Sequence, residues 1–430
     1  MKKLYSLAVS LLAGATMLHA QLDCSGGRYD QEIFSDFDLT SDIVYGNNDR
    51  MNGNNIDLLL DVYEPSGDTE TARPLIIFMH GGTFIAGSKT GDDVKPLAEM
   101  FAKKGYVTSS INYRLGMDNL LSFSGPSAGD AAEAVFRATQ DARAAVRFFR
   151  KSVAEDGNPY GIDTDHIYLV GVSAGGFMAL HLAYLTEEDD IPEIIDQSKP
   201  GLAGGIVGES GNPGYSSEVT AIINLAGALG DVEWITADKA PVLSMHGDED
   251  GTVPFGTDWI SVSVFSEIII VDGSQTVHEK AEEVGLKNCF KPHWGADHVP
   301  HVNNQPYTDT TELYIREFLL SFVCEGENYC PCETTEDPSD CYNYQGLSTE
   351  EFALSSFNLF PNPAQTKFTL EGEARIISYQ VTDLKGQMVQ SGNGNMQYGV
   401  DIDCSSFNPG VYLVQLHTEY GVSTKKVVVE

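Results

Sequence analysis

The chain has 430 residues, 42% of them hydrophobic and 10% aromatic, the make-up of a folded protein with room for two or three domains. Its 26 Lys and Arg against 62 Asp and Glu leave a formal charge of −36. A surface of that sign repels nucleic acid and anionic lipid, so neither is expected as a partner.

Residues 1–20 read as a secretory signal peptide. Lys2 and Lys3 form a basic start, residues 4–18 a short apolar stretch, and Leu18-His19-Ala20 a cleavage site. The mature chain is expected to begin near Gln21. Cys24 follows closely, but "QLDC" lacks the small residues of a lipoprotein box. No other stretch holds about 18 uninterrupted apolar residues, so no transmembrane helix is expected.

Residues 21–324 alternate strand-like and helix-like pieces. "PLIIFMHGG" (74–82) is a short apolar run that stops at glycines, and "GYVTSSINYRLG" (105–116) is a second strand candidate. Residues 131–153 have helical spacing, with Val135, Ala138, Ala142, Ala145 and Phe149 on one face. "HIYLVGVS" (166–173) is a strand that runs into the helical "GGFMALHLAYLT" (175–186). Residues 219–228 and 240–247 are strands again. Residues 308–323 close the region as an amphipathic helix capped by Thr308 or Asp309. Apolar strands alternating with helices predict an α/β fold, a mostly parallel sheet covered on both faces.

Residues 325–355 change character. Eight acids and no Lys or Arg fall between Glu325 and Glu351, which marks a solvated linker. Four of the seven cysteines, Cys324, Cys330, Cys332 and Cys341, lie in or beside it. Their spacing lacks the C-x₂-C of zinc sites, and a local disulfide cluster is expected. Seven is odd, so at least one cysteine lacks a partner within the chain. Residues 356–430 then show short strands with glycine turns, the pattern of a small all-β sandwich.

The chemistry centres on Gly171-Val172-Ser173-Ala174-Gly175. Gly-x-Ser-x-Gly alone is weak evidence. Here a strand runs into the serine and a helix runs out, which puts Ser173 on a tight turn at the carboxyl end of a sheet. A serine hydroxyl needs a base, and the base needs an orienting carboxylate. Downstream, "HGDEDGTVP" (246–254) offers Asp248, Glu249 and Asp250, and "PHWGADHVPH" (292–301) offers His293, His298 and His301. Oxyanion donors are also needed. Gly81 and Gly82 of "HGGTF" let backbone N–H groups converge, and the N–H of Ala174 supplies another.

These stretches, with "INYRLG" (111–116), "QDARAAVRFFR" (140–150) and "YGIDTDHIYLVGVSAGG" (160–176), closely resemble the secreted carboxylesterases of the α/β-hydrolase superfamily, the hormone-sensitive-lipase-like and bacterial esterase branch. The resemblance implies ester hydrolysis without a cofactor. It implies Ser173 as nucleophile, Asp250 as acid, ahead of Asp248, and His298 as base, ahead of His301. His293 and His181 are expected to be structural. Thr83 stands where the family's "HGGG" has its third glycine. The tail, through "FNLFPNPAQTKFTL" (357–370), "VTDLKGQMV" (381–389), "NPGVYLVQL" (408–416) and "KKVVVE" (425–430), resembles the type IX secretion sorting domain. That resemblance implies the type IX secretion machinery as a partner and a secreted or cell-surface location.

The expected function is therefore a secreted serine esterase acting on short-chain or polysaccharide-linked (acetyl or feruloyl) esters. A peptidase or polyester depolymerase on the same triad, and a non-catalytic surface-binding protein, are the alternatives. Residues 117–130 and 209–218 are expected to supply pocket walls.

Overall fold

The computed structural model describes residues 22–120, 125–262, 265–324, 330, 357–383, 388–418 and 421–429. The signal-peptide segment lies outside them, as does the acidic linker apart from Cys330.

The strands form as their composition dictates. In chain order they are β1 (Phe37–Asp49), β2 (Asn55–Pro65), β3 (Arg73–Met79), β4 (Val107–Ile111), β5 (Ile162–Val172), β6 (Ala221–Leu225), β7 (Val242–Gly247), β8 (Thr257–Val262), β9 (Phe265–Asp272) and β10 (Asn288–His293). Eight of them make one sheet in the order β1-β2-β4-β3-β5-β6-β7-β10. β1 and β2 run antiparallel at one edge, and the strands from β4 to β10 pair in parallel. The helices are α1 (Lys95–Lys103), α2 (Ala128–Glu155), α3 (Ala174–Tyr184), α4 (Ser274–Val284) and α5 (Gln305–Val323).

Side chains alternate across a strand, so a central strand must be apolar on both faces. β3 shows this: Leu75, Ile77 and Met79 join the core beneath α2, α3 and α4, while Ile76 and Phe78 join the core beneath α1 and α5. Burying each such side chain contributes about 1.5–3 kcal/mol. The apolar run 74–79 is therefore a two-faced core strand.

Two helix ends differ from expectation. α2 starts at Ala128, capped by Ser127, whose hydroxyl accepts from Asp130 N–H while the Asp130 carboxylate accepts from Ser127 N–H. α5 starts at Gln305, not at a Thr308 or Asp309 cap. Pro306 is tolerated in that first turn because its missing N–H would have no helical acceptor there. Thr308 Oγ1 instead donates to the His301 carbonyl at 2.6 Å.

The "INYRLG" and "QDARAA" stretches meet in the interior. Arg114 Nε lies 2.9 Å from both carboxylate oxygens of Asp141, Nη2 lies 2.8 Å from Oδ1, and both side chains are fully buried. The Arg114 N–H and the Ser210 hydroxyl also donate to that carboxylate. Removing the charge of one partner leaves the other buried and uncompensated. Asp141→Asn is expected to destabilise the fold by about 3–5 kcal/mol, read as a lower urea midpoint.

The cysteines correct the expected local cluster. Cys24 pairs with Cys324 across 300 residues, and Cys289 of β10 pairs with Cys330 across 41. Folding brings the N-terminal segment against the end of α5, so Cys324 meets Cys24 and not its sequence neighbour. Cys332 and Cys341 lie outside the described residues, and Cys404 is buried without a disulfide.

The C-terminal strands are β11 (Phe357–Phe360), β12 (Lys367–Asp383), β13 (Met388–Asp403), β14 (Gly410–Thr418) and β15 (Gly421–Val429). All pair antiparallel. β12 carries β11 along its first half and β14 along its second, with register shifts between Glu371 and Ile376 where the partner changes. Phe368, Leu370, Ile376, Val381, Ile402, Val414 and Leu416 form a core separate from those of the large sheet.

Candidate active site

Ser173 sits between β5 and α3 at φ +53°, ψ −113°, a region that side chains rarely occupy. The turn is tight enough to demand its glycines. A Cβ on Gly171 would come 2.0 Å from the Gly175 carbonyl oxygen, and one on Gly175 would come 2.0 Å from that of Met79. Ser173 N–H donates to the Leu225 carbonyl at 2.7 Å, which pins the turn to the neighbouring strand.

His298 Nε2 lies 2.8 Å from Ser173 Oγ, and its Nδ1 lies 2.6 Å from Asp250 Oδ2. The carboxylate accepts, so Nδ1 carries the proton and Nε2 is free to accept the serine proton. Asp250 Oδ1 also accepts the N–H groups of Thr252 and Val253, at 2.8 and 2.9 Å. His246 Nε2 donates to Asp250 Oδ2 at 3.0 Å. Burial alone would raise the Asp250 pKa. The hydrogen bonds from His246 and His298 outweigh it and hold the carboxyl well below the usual range.

Three supporting residues escaped the sequence reading. His246 is fixed through Nδ1, which accepts from Ser274 Oγ at 2.7 Å, and its place four residues before Asp250 was the available signal. Asp297 ties two loops together by accepting from Gly251 N–H at 3.1 Å and from His298 N–H at 2.7 Å. Asp93 accepts the Gly81 N–H at 2.6 Å.

That last bond bears on the expected oxyanion donors Gly81, Gly82 and Ala174. The Gly81 N–H is already taken. The N–H groups of Gly82 and Thr83 have no acceptor among the described residues, and Ala174 opens α3, where a helix leaves its N–H groups unpaired. Thr83 and Ala174 line the same cavity as Ser173. Gly82 and Thr83 have positive φ, +109° and +56°, so the loop is bent to present its N–H groups.

The other candidates are placed elsewhere. Asp248 accepts Gly295 N–H at 2.5 Å, and no bond joins it to His298. His301 is buried, its Nε2 lacks a partner, and it does not line the cavity. His293 is buried in β10 with its ring edge-on to Tyr307. His181 does line the cavity.

The cavity over Ser173 has a volume of about 590 Å³ and an apolar wall that includes Phe84, Phe136, Phe177, Trp234 and Ile268. The β8–β9 hairpin forms one side and carries Trp259 to the rim, 46% exposed. Of the two loops expected as walls, Met117 and Ala128 contribute. Residues 209–218 do not. They pack against β1 and α2, where Asn212 Nδ2 donates to the Tyr45 carbonyl and Arg147 to that of Gly211. The hairpin was missed because its strands lie outside the main sheet.

Residues 60–227 match the family model named BD-FAE, and residues 358–430 match the Secretion system C-terminal sorting domain. Carboxylesterase 3B of Mus musculus is 32% identical over 126 residues, 29% of this chain and 20% of its own length. Juvenile hormone esterase of Tribolium castaneum is 29% identical over 156 residues, 36% of this chain and 25% of its own. The chain thus spans a quarter or less of the length of these two relatives. Thermogutta terrifontis esterase 2, in its paraoxon-phosphorylated structure, aligns with 69% of this chain and 97% of its own at 21% identity and a TM-score of 0.45. The large sheet with its helices is an α/β-hydrolase fold, and the tail is a secretion sorting domain that marks the chain as secreted or surface-located.

Proposed function

We propose that this chain, an α/β-hydrolase joined to a secretion sorting domain, is a serine hydrolase that cleaves carboxylic esters through an acyl-enzyme. The observation that carries the reading is the continuous hydrogen-bonded path Ser173–His298–Asp250, opening on an apolar cavity beside unpaired N–H groups.

The steps follow from the atoms. Ser173 Oγ attacks the ester carbonyl as its proton passes to His298 Nε2. Asp250 stabilises the imidazolium and keeps its ring oriented. The N–H groups of Gly82, Thr83 and Ala174 receive the oxyanion. His298 returns the proton to the departing alkoxide, then activates the water that releases the acid. None of these steps calls for a cofactor.

The cavity volume favours an acyl group larger than acetyl, since an apolar space left unfilled contributes no binding. Of the polysaccharide-linked esters expected, a feruloyl-sized group fits this cavity better than acetyl. The sorting domain supports the type IX secretion machinery as partner. The test is turnover of p-nitrophenyl acetate, butyrate and octanoate by the full chain. kcat/KM is expected to rise from acetate to butyrate. Inertness on all three, with no labelling by a fluorophosphonate, would return the protein to the binding class.

A further inference from the structure

Asp250 holds two imidazoles, and only one of them touches the nucleophile. Its Oδ2 accepts from His298 Nδ1 at 2.6 Å and from His246 Nε2 at 3.0 Å. His246 stands near the end of β7, wholly buried, with its ring edge-on to Phe255. The steps of ester cleavage make no direct use of it.

The proton positions around His246 follow one from another. Its Nε2 faces two groups that only accept, the Asp250 carboxylate and the Val253 carbonyl at 3.2 Å, so Nε2 carries a proton. Its Nδ1 lies 2.7 Å from the hydroxyl of Ser274, the first residue of α4. The other acceptor for that hydroxyl, the Gly227 carbonyl, is 3.4 Å away, so the hydroxyl proton goes to Nδ1. Behind it stands Asn224 of β6. The Gly227 N–H donates to Asn224 Oδ1 at 2.9 Å, which orients the amide, and Nδ2 then donates to Ser274 Oγ at 3.0 Å. Every donor points the same way: Asn224 to Ser274, Ser274 to His246, His246 to Asp250. All three side chains are wholly buried. A hydrogen bond received at Nδ1 polarises the ring and strengthens the N–H presented at Nε2.

We propose that His246 is a positioning residue for the ester reaction, and that the Asn224–Ser274–His246 chain sets how firmly the Asp250 carboxylate holds the protonated His298 ring. This rests on the esterase reading above. A carboxylate that shares its charge with a second donor is less basic. It stabilises the His298 imidazolium less and leaves the ring available as a base at lower pH. The acid limb of kcat/KM reports that balance.

Other titratable groups surround the pair. Asp297 acts on both His298 and Asp250, Asp248 and Asp258 line a groove with Asp250, and Asp93 lies beneath the Gly81 N–H. His301 faces His298, and His293 of β10 faces His246 with Lys291 beside it. Burial lowers the pKa of His293 to about 3 and of His301 to about 4, so both are neutral near pH 7. All of these are shared by the unaltered chain and its variants, so a difference between their acid limbs belongs to the chain of donors.

The test is kcat/KM of the full chain on p-nitrophenyl butyrate from about pH 4.5 to 8. His246→Leu removes the donor and is expected to move the acid limb up by about half a pH unit or more. Ser274→Ala keeps the imidazole, removes only the bond that polarises it, and is expected to move the limb the same way by less. His246→Gln restores a donor toward Asp250 and is expected to bring the limb back toward that of the unaltered chain. A limb that stays in place in His246→Leu, whatever happens to the plateau, makes His246 a packing residue and overturns the proposal, as does a limb that moves down. If His246→Leu does not fold, Ser274→Ala decides alone, and an unmoved limb there overturns it. A glutamine variant that matches the leucine one overturns the assignment to the donated bond. Turnover by the unaltered chain with unmoved limbs in the variants leaves the esterase reading standing and sinks only this one, whereas inertness of the unaltered chain sinks both.

Discussion

His298→Ala is expected to lower kcat/KM on p-nitrophenyl butyrate by at least about 10⁴-fold, and Ser173→Ala by as much. The physical reason is that the serine hydroxyl is a poor nucleophile until its proton has somewhere to go, and Nε2 of His298, 2.8 Å away, is the bonded acceptor. A 10⁴-fold loss corresponds to about 5.4 kcal/mol of transition-state stabilisation. Because the two groups act as a unit, the double variant is expected to lose little beyond either single one. The variants part on labelling. Ser173→Ala has no oxygen for a fluorophosphonate to modify, while His298→Ala keeps the oxygen and reacts slowly. If His298→Ala kept a tenth or more of wild-type activity, the base would lie elsewhere. His301 would be tested next, although its burial and its absence from the cavity argue against it.

The second large effect concerns stability. Cys24–Cys324 closes a loop of 300 residues that contains the whole large sheet. Loop-closure entropy grows with the logarithm of length, so the chain-entropy relation gives about 5–6 kcal/mol for this bond and about 4 kcal/mol for the 41-residue loop of Cys289–Cys330. Measured values for native disulfides run lower, about 2–5 kcal/mol, because real unfolded chains are not ideal coils. The double substitution Cys24→Ser/Cys324→Ser is therefore expected to lower the denaturant midpoint more than Cys289→Ser/Cys330→Ser, with a steeper transition because the released unfolded chain exposes more surface. Equal midpoints for wild type and the first double variant would show that this bond does not constrain the unfolded chain.

Much of this protein is local enough to be legible in its order of residues. The run 74–79 declares a strand buried on both faces because period-two alternation has no polar member to turn outward. Gly171 and Gly175 declare a turn too tight for side chains, and the serine between them is the residue such a turn would expose. Ser173 could be nominated because a strand runs straight into its turn, whereas the choice of Asp250 and His298 among the acids and histidines of two later loops came from the resemblance.

What the tertiary structure decided was every choice among near-equivalent neighbours. Asp248 and Asp250 are two residues apart in one loop, and only the loop's course, held by Thr252 and Val253 N–H groups, turns Asp250 toward a histidine 48 residues away. The Gly81 N–H looked as available as that of Gly82 until Asp93, twelve residues on, came back to accept it. The cysteines looked local because four are near in sequence, yet two of them pair with residues 300 and 41 positions away. Hydropathy and spacing report which face of an element is buried. They carry no record of which distant element covers it, because that is settled by the packing of the whole domain, where hydrogen bonds and disulfides form between whatever the fold brings within a few ångströms.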